Sequence, residues 1–489
     1  MLTFTEVAEH NSRESCWVII REQVYDVTGF LDSHPGGAHS ILRYAGKDAT
    51  DEYEPIHAAG TIEKNLPRDR QLGPIDPSTI PAQSVSARKA ERERSKGAVA
   101  PLGLCMNLED FEASAKKVIS QRAWTYFHSA ADGLGSLRNN LNDWNKITIR
   151  PRVLEDVTRV DMRCDIMGQP SSLPFFIAPA AMARLAHEDG ELCLARGAAR
   201  KNIPYCVSTY ASISHQDLMA ELQSQGKGKS GCLFFQLYVA RQKERTLELI
   251  ALARALGFRA LVITVDTPVV GKREEDERYQ AEVEYDMGAD RPRTADPSPA
   301  SGDLAVLRGV HSVSLNWRDL QWIREAWGDA GHVIVKGIQT AEDAKRATAI
   351  GVDGIYLSNH GGRQIDDGPS AIRTLLEIRA YCPEILSSKT KIYLDGGVRR
   401  GADILKALSL GATAVALGRP FLYALGAYGT DGVVQAIQIL SDEIETTMRL
   451  MGVTTLSQLR SDRVNTTLLD QEIPKSLRAF STSPLASKL

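Results

Sequence analysis

Residues 391–420 read KIYLDGGVRRGADILKALSLGATAVALGRP, and the fold turns on how this stretch is read. Lys391–Gly397 is a short apolar run closed by two glycines, and Ala402–Leu410 carries apolar residues at helical spacing. Ala414–Pro420 is a second apolar run, again closed by glycine and proline. A strand, a helix and a strand in this order form a crossover unit whose strands run parallel. Working outward, the same unit recurs. Apolar, β-branched-rich runs lie at Phe175–Ala181, Pro204–Tyr210, Leu233–Val239, Ala260–Pro268, Val333–Ile338 and Gly354–Gly362. Helix-period stretches such as Glu188–Lys201, Glu244–Leu256 and Ala341–Ile350 separate them. Eight such units predict an α/β chain with a parallel sheet buried on both faces, closed into a (β/α)8 TIM barrel. No strand is followed by G-x-G-x-x-G, which argues against a dinucleotide fold. One gap is too long: between the fourth and fifth runs lies Asp286–Ser301, rich in Pro, Asp and Ala, which predicts a long loop.

The chain has 489 residues, and a domain takes roughly 100–200, so the barrel leaves room for a second domain. Pro77, Pro81, Ser84 and Ser86, the charge run Arg88–Arg94, then Gly97, Pro101 and Gly103 mark a linker. The division is 1–77 for a front domain, 78–106 for the linker, 107–470 for the barrel and 471–489 for a tail. Hydrophobic residues at 43% exclude a mainly disordered chain, and a net charge of −3 leaves no global basic surplus for nucleic acid or a membrane surface. No run reaches the ~18 apolar residues of a membrane span. Seven cysteines without a C-x-x-C pair argue against a disulfide framework or zinc ribbon and for a reducing compartment. Ser487-Lys488-Leu489 is the peroxisomal address S-K-L, and the start of the chain lacks a presequence pattern. Peroxisomes are the expected location, with the mitochondrial intermembrane space or cytoplasm as the alternative.

The active site of such a barrel forms at the C-terminal ends of the strands. Those ends carry Ala180-Ala181, Ser208-Thr209, Gln236 with Tyr238, Thr264 with Asp266, Lys336, His360 with Arg363, Asp395 with Arg399, and Gly418-Arg419. A purely structural barrel has no need of a polar group from nearly every strand. Gly397 and Gly418 let backbone N–H groups approach a phosphate, and Arg399 or Arg419 suits pairing with it. His360 suits a general base, Arg363 a bidentate grip on a carboxylate, and Asp266 a partner for the imidazole.

Residues 107–470 resemble the FMN-dependent 2-hydroxy acid oxidase and dehydrogenase family, which includes glycolate oxidase and flavocytochrome b2. SNHGGRQ, LDGGVRRG, LGRP, QLYV, TVDTP and KREED carry the resemblance. It implies FMN across the barrel mouth, with its phosphate at Gly397, Arg399, Gly418 and Arg419 and Asp395 alongside. The ring system would meet Ala181, Ser208, Gln236, Thr264 and Lys336, the last stabilising a reduced, anionic flavin. It implies His360 as the base, Asp266 as its partner, Arg363 and Tyr126 on the substrate carboxylate, Tyr238 at the hydroxyl, and Arg273 nearby. Three positions depart from the family pattern. Ala130 stands where a Gly is usual, Ala180 where many members have Thr, and Tyr210 where the family varies between a large aromatic and Leu. Tyr210 should narrow the space for the substrate side chain.

In the front domain, DSHPGG at 32–37, His57, WVII, VYDVT and AGKDAT resemble cytochrome b5 over residues 2–76. The resemblance implies heme b held by His34 and His57. Two axial imidazoles leave no open position for oxygen, so the haem would carry electrons. The expected function is oxidation of a small L-2-hydroxy acid, L-lactate first, with electrons passing from FMN through haem to cytochrome c or another one-electron acceptor. An oxidase handing electrons to oxygen is the alternative. A cofactor-binding module without turnover is disfavoured by the complete set His360, Arg363, Asp266 and Lys336. The family also implies a homotetramer.

Overall fold

The computed structural model describes residues 1–34, 37–79, 99–224, 231–286 and 311–475. Eight parallel strands close into a barrel: β1 (Phe175–Ile177), β2 (Tyr205–Val207), β3 (Leu233–Leu237), β4 (Ala260–Thr264), β5 (His332–Ile338), β6 (Gly354–Leu357), β7 (Lys391–Leu394) and β8 (Ala414–Leu417). Closure comes from β8 pairing β1, with Val415, Ala416 and Leu417 opposite Phe175, Phe176 and Ile177. Alternate residues face opposite sides of a strand. Phe176, Cys206, Phe234, Val262, Ile334, Tyr356, Tyr393 and Ala416 therefore form one buried cluster inside the barrel. Phe176 meets Phe234, Tyr356 and Tyr393 edge-on at ring separations of 6.2, 5.8 and 6.2 Å, which plugs the barrel and leaves only its C-terminal mouth for chemistry. The other face of each strand, Phe175, Ile177, Tyr205 and Phe235 among them, packs under the surrounding helices.

The front domain is a four-stranded sheet with short helices. Trp17–Ile20 lies between Lys47–Asp48, which runs parallel to it, and Gln23–Asp26, which runs antiparallel and pairs in turn with Gln71–Pro74. Its hairpin turns on Arg21 and Glu22, both at positive φ (52° and 62°), as a two-residue turn requires.

Three expected boundaries shift. The front domain holds its chain as far as Thr79, whose Oγ1 accepts from the Phe4 N–H at 2.9 Å, so Ser78 and Thr79 belong to it rather than to the linker. At the other end the Ala100 carbonyl accepts from the Tyr428 hydroxyl at 2.8 Å, and Leu102–Leu104 forms a turn of helix against the barrel. The tail likewise stays docked at Glu472, which pairs with Lys146 at 2.5 Å. The helix Glu274–Asp286 follows β4, so the long insertion opens as a helix, and its remainder lies outside the described residues. So do the middle of the linker, Pro35-Gly36 and the terminal S-K-L. No helix among the described residues is long and apolar enough to cross a membrane.

Candidate active site

His360 sits just past β6 in a turn where His360, Gly361 and Gly362 all have positive φ (60°, 67° and 77°). A left-handed histidine costs conformational energy and persists only where its surroundings impose it. Here Asn359 Oδ1 accepts from the Gly362 N–H at 3.0 Å and Ser358 Oγ from the His360 N–H at 3.0 Å. The turn aims the imidazole across the mouth. Its Nδ1 lies 2.9 Å from Asp266 Oδ1 and its Nε2 lies 3.2 Å from the Tyr238 hydroxyl. Burial pushes the Tyr238 phenol well above its usual range, so it remains a donor. The tautomer follows: Nδ1–H faces Asp266 and the lone pair is on Nε2, pointing at Tyr238.

Burial works to raise the pKa of Asp266, but the Lys336 charge, the interaction with the His360 imidazole and the hydrogen bonds from His360 and Thr267 outweigh it and hold it at about 2. Burial lowers His360 below its ordinary 6.5; Asp266 pulls it back and Lys336 and Arg273 push it down. His360 is therefore neutral, and able to accept a proton, at pH 7. The acid limb of kcat/KM for flavin reduction should lie below pH 6.5, since activity is lost only as pH falls through the lowered pKa and Nε2 fills with a proton. A limb centred above that value in a pH series would contradict the assignment.

Two guanidinium groups converge beside the dyad. Burial, then the neighbouring Arg273, brings Arg363 down to about 9, and Arg273 Nε is buried without a partner among the described residues. Two crowded cations with donors to spare call for an anion, and a carboxylate fits. Arg363 is anchored by Nη1, which donates at 2.8 Å to the carbonyls of both Tyr126 and Ser129, and it lies 5.1 Å from the centre of the Tyr126 ring. Tyr126 is thus placed beside Arg363.

The positions assigned to a flavin line the same mouth. Gln236 accepts from the Thr209 N–H at 3.0 Å and donates to Thr264 Oγ1 at 2.9 Å, which ties β2, β3 and β4 together. Ser208 Oγ accepts from the Tyr210 N–H, and Ala181 follows β1 half-buried. Lys336 Nζ is buried, donates to Ser358 Oγ at 3.0 Å and stands 3.9 Å from Asp395 Oδ2. Asp395 Oδ1 and Asp266 Oδ2 are buried without partners among the described residues. Such atoms fit a site completed by bound polar groups, and Asp395 suits a polyol hydroxyl of FMN. Gly397 (φ +75°) has no alternative, since an added Cβ would lie 1.7 Å from the Asn140 carbonyl oxygen; an added Cβ at Gly418 would find its nearest neighbour, Ala178 Cβ, at 3.8 Å. The two arginines assigned to phosphate also have partners within the protein. Arg399 is paired with Glu112 at 3.2 Å, and all three Arg419 nitrogens donate to carbonyls, those of Phe127, Gly361 and Ser129. Arg419 therefore braces the C-terminal end of the helix that carries Tyr126 against the His360 turn, whatever donors it also offers an anion.

In the front domain the His34 and His57 rings lie 6.0 Å apart, centre to centre, a spacing that accommodates one metal ion at about 2 Å from a nitrogen of each. His34 Nδ1 is 3.2 Å from the Gly37 carbonyl and His57 Nδ1 is 3.0 Å from that of Tyr53, an arrangement that fixes the tautomer with Nε2 as the ligand atom. Burial lowers His57 to about 4, so it is neutral as a ligand must be. The residues fit a haem. This domain rests on the barrel through Glu52 and Arg122, the Glu54 carbonyl and Arg184 Nη1 (2.9 Å), and Arg43 and Gln280. Arg122 lies in the first turn of the helix Gln121–His128 that carries Tyr126, so the haem ligands' domain meets the helix that enters the catalytic mouth.

Four contributors escaped the sequence reading. Ser358 and Asn359 stand inside SNHGGRQ and Thr267 inside TVDTP, where small polar residues beside a catalytic group were a usable signal. His311 follows the long insertion and had none. The chain matches the FMN-dependent dehydrogenase family over residues 115–466 and the cytochrome b5-like heme/steroid binding domain over 3–76. It is similar to the L-lactate dehydrogenase (cytochrome) of Wickerhamomyces anomalus, 39% identical over 95% of this chain and 80% of that one. It is 36% identical to a peroxisomal (S)-2-hydroxyacid oxidase of Arabidopsis thaliana, over 74% of this chain and 96% of the relative. Among solved structures, a flavocytochrome b2 variant with pyruvate bound superposes with a TM-score of 0.71 at 33% identity, covering 83% of this chain and 96% of that one.

Proposed function

Given that the chain belongs to the FMN-dependent dehydrogenase family and carries a cytochrome b5-like domain in front, we propose that it oxidises L-lactate to pyruvate and passes the electrons through its haem domain to cytochrome c or a similar one-electron acceptor. It is an oxidoreductase acting on CH–OH donors, with FMN and haem as its cofactors. The observation that carries the reading is the Asp266–His360–Tyr238 chain beside Arg273 and Arg363, in a mouth whose rim also holds the haem domain.

Arg363 and Arg273 bind the substrate carboxylate and so orient its α-carbon. The Tyr238 hydroxyl marks where the substrate hydroxyl meets His360 Nε2, which takes its proton. Asp266, ionised, holds the ring in the right tautomer and stabilises the imidazolium that results. FMN, when bound, supplies the two-electron acceptor for the α-hydrogen, and haem the one-electron carrier beyond it. The contacts of Glu52 and Glu54 with Arg122 and Arg184 support the haem route over direct use of oxygen. The deciding experiment is a visible spectrum of the purified holoprotein under anaerobic conditions. L-lactate should bleach the flavin and then reduce the haem; flavin bleaching with a permanently oxidised haem would overturn the route.

Tyr210 supports a small substrate. It stacks on Tyr238 at 5.5 Å and on His311 at 5.8 Å, so its ring stands beside the hydroxyl-binding group. Tyr210→Ala should raise kcat/KM for longer or aromatic 2-hydroxy acids relative to lactate by roughly tenfold or more, the scale of hydrophobic pocket discrimination. Unchanged ratios across a substrate series would remove Tyr210 from the pocket.

Peroxisomal delivery belongs to the same proposal and rests on Ser487-Lys488-Leu489. A fluorescent fusion ending in this tripeptide should be punctate and peroxisomal, and its removal should leave it cytosolic. A mitochondrial pattern for the full-length fusion would exclude that address.

A further inference from the structure

We infer that His311 is a positioning residue for proton abstraction, bracing both polar neighbours of the base; the inference rests on the reading of His360 as that base. The His311 ring stacks on Tyr238 at 4.3 Å, with 12° between the planes. That fixes the plane of the phenol whose hydroxyl lies 3.2 Å from His360 Nε2. On its other side, His311 Nδ1 lies 3.1 Å from the Thr267 carbonyl. Thr267 Oγ1 donates to Asp266 Oδ1 at 3.0 Å and stands 3.4 Å from His360 Nδ1. His311 therefore closes a ring of contacts: Tyr238 on one side of the base, Thr267 and Asp266 on the other.

The backbone holds His311 in place. It forms an antiparallel bridge with Ala240, and the next N–H, of Ser312, donates to the Val239 carbonyl at 2.8 Å. The returning chain is thereby stitched to the segment directly after Tyr238. His311 is buried, and burial lowers its pKa, so the ring is neutral at pH 7 and carries its proton on Nδ1, which donates to the Thr267 carbonyl. A ring that only filled space would have no need of a nitrogen aimed at the carbonyl of the residue next to Asp266. The device is angular: misalignment of the line from Tyr238 through the imidazole to Asp266 changes the rate of proton transfer more than it changes binding.

The test uses the holoenzyme and three substitutions, His311→Ala, His311→Phe and His311→Gln. Phe keeps the stack and loses the hydrogen bond; Gln keeps a donor and loses the stack. Anaerobic stopped-flow with L-lactate separates the limiting rate of flavin reduction from the substrate dissociation constant. His311→Ala should lower the limiting rate by about tenfold with the dissociation constant changed by less than about twofold, and with FMN and haem contents retained. Phe and Gln should each recover part of the loss. A limiting rate unchanged in the Ala enzyme overturns the inference. So does an equal loss in all three variants that tracks FMN content, because that is the signature of general damage. Should the Ala enzyme not accumulate, parental rates in both Phe and Gln enzymes overturn it equally. His360→Gln, measured alongside, keeps the two readings apart: if it too reduces flavin normally, the base assignment fails rather than the role of His311.

Discussion

His360→Gln should lower the rate of flavin reduction by L-lactate by about 10²–10⁴-fold, the range that a positioned general base contributes, while FMN stays bound. The geometry gives the reason. His360 Nε2 is the acceptor that faces Tyr238, and its Nδ1 is tied to Asp266. A glutamine at this position has an amide N–H to offer Asp266 but no nitrogen lone pair with which to accept a proton. Asp266 is nearly sealed, with its side chain 1% exposed against 20% for His360, so it lies too deep to take over. Without an imidazole that can become charged, its carboxylate also loses the partner that holds it at about 2. The left-handed turn at His360 adds a small stability cost for glutamine, since histidine is among the residues that tolerate such a φ better than most. Thermal denaturation and FMN content therefore accompany the stopped-flow trace. A near-normal reduction rate in a fully FMN-loaded variant would refute the assignment.

The second large effect belongs to the front domain. His34→Ala removes one of the two imidazoles whose 6.0 Å spacing fits one iron, and haem retention should be lost. Reduction of cytochrome c should then fall close to background. A two-electron flavin and a one-electron partner are mismatched, and the tethered haem domain resolves this by carrying electrons singly. Flavin reduction by L-lactate should survive, because the Asp266–His360–Tyr238 chain and its two arginines belong to the barrel. Ferricyanide should still draw electrons from the flavin. If the variant lacked haem yet reduced cytochrome c as fast as the parent, the haem would lie off the electron path and the oxygen-using reading would gain.

The primary structure by itself determined the barrel, because a strand buried on both faces must be apolar throughout, and eight such runs with helices between them have one compact closure. It determined the candidate base, its arginine and the glycine cradle for the same kind of reason. SNHGGRQ and LDGGVRRG are local: a turn that needs positive φ, and a backbone that must approach Asn140 too closely for any Cβ, select glycines beside the groups they present. What only the tertiary structure decided is who meets whom across the mouth. Arg419 reads in the sequence as a phosphate ligand, and only the fold shows that its guanidinium also reaches three carbonyls far away in the chain. Glu52 and Arg122 are unremarkable surface residues as letters and become partners only when two domains touch. His311 follows a long insertion with no pattern around it, and reaches Tyr238 because the chain re-enters through a bridge at Ala240. Periodicity records which face of an element is buried; it carries no term for the path by which a loop returns, and the braces of this site all depend on such paths.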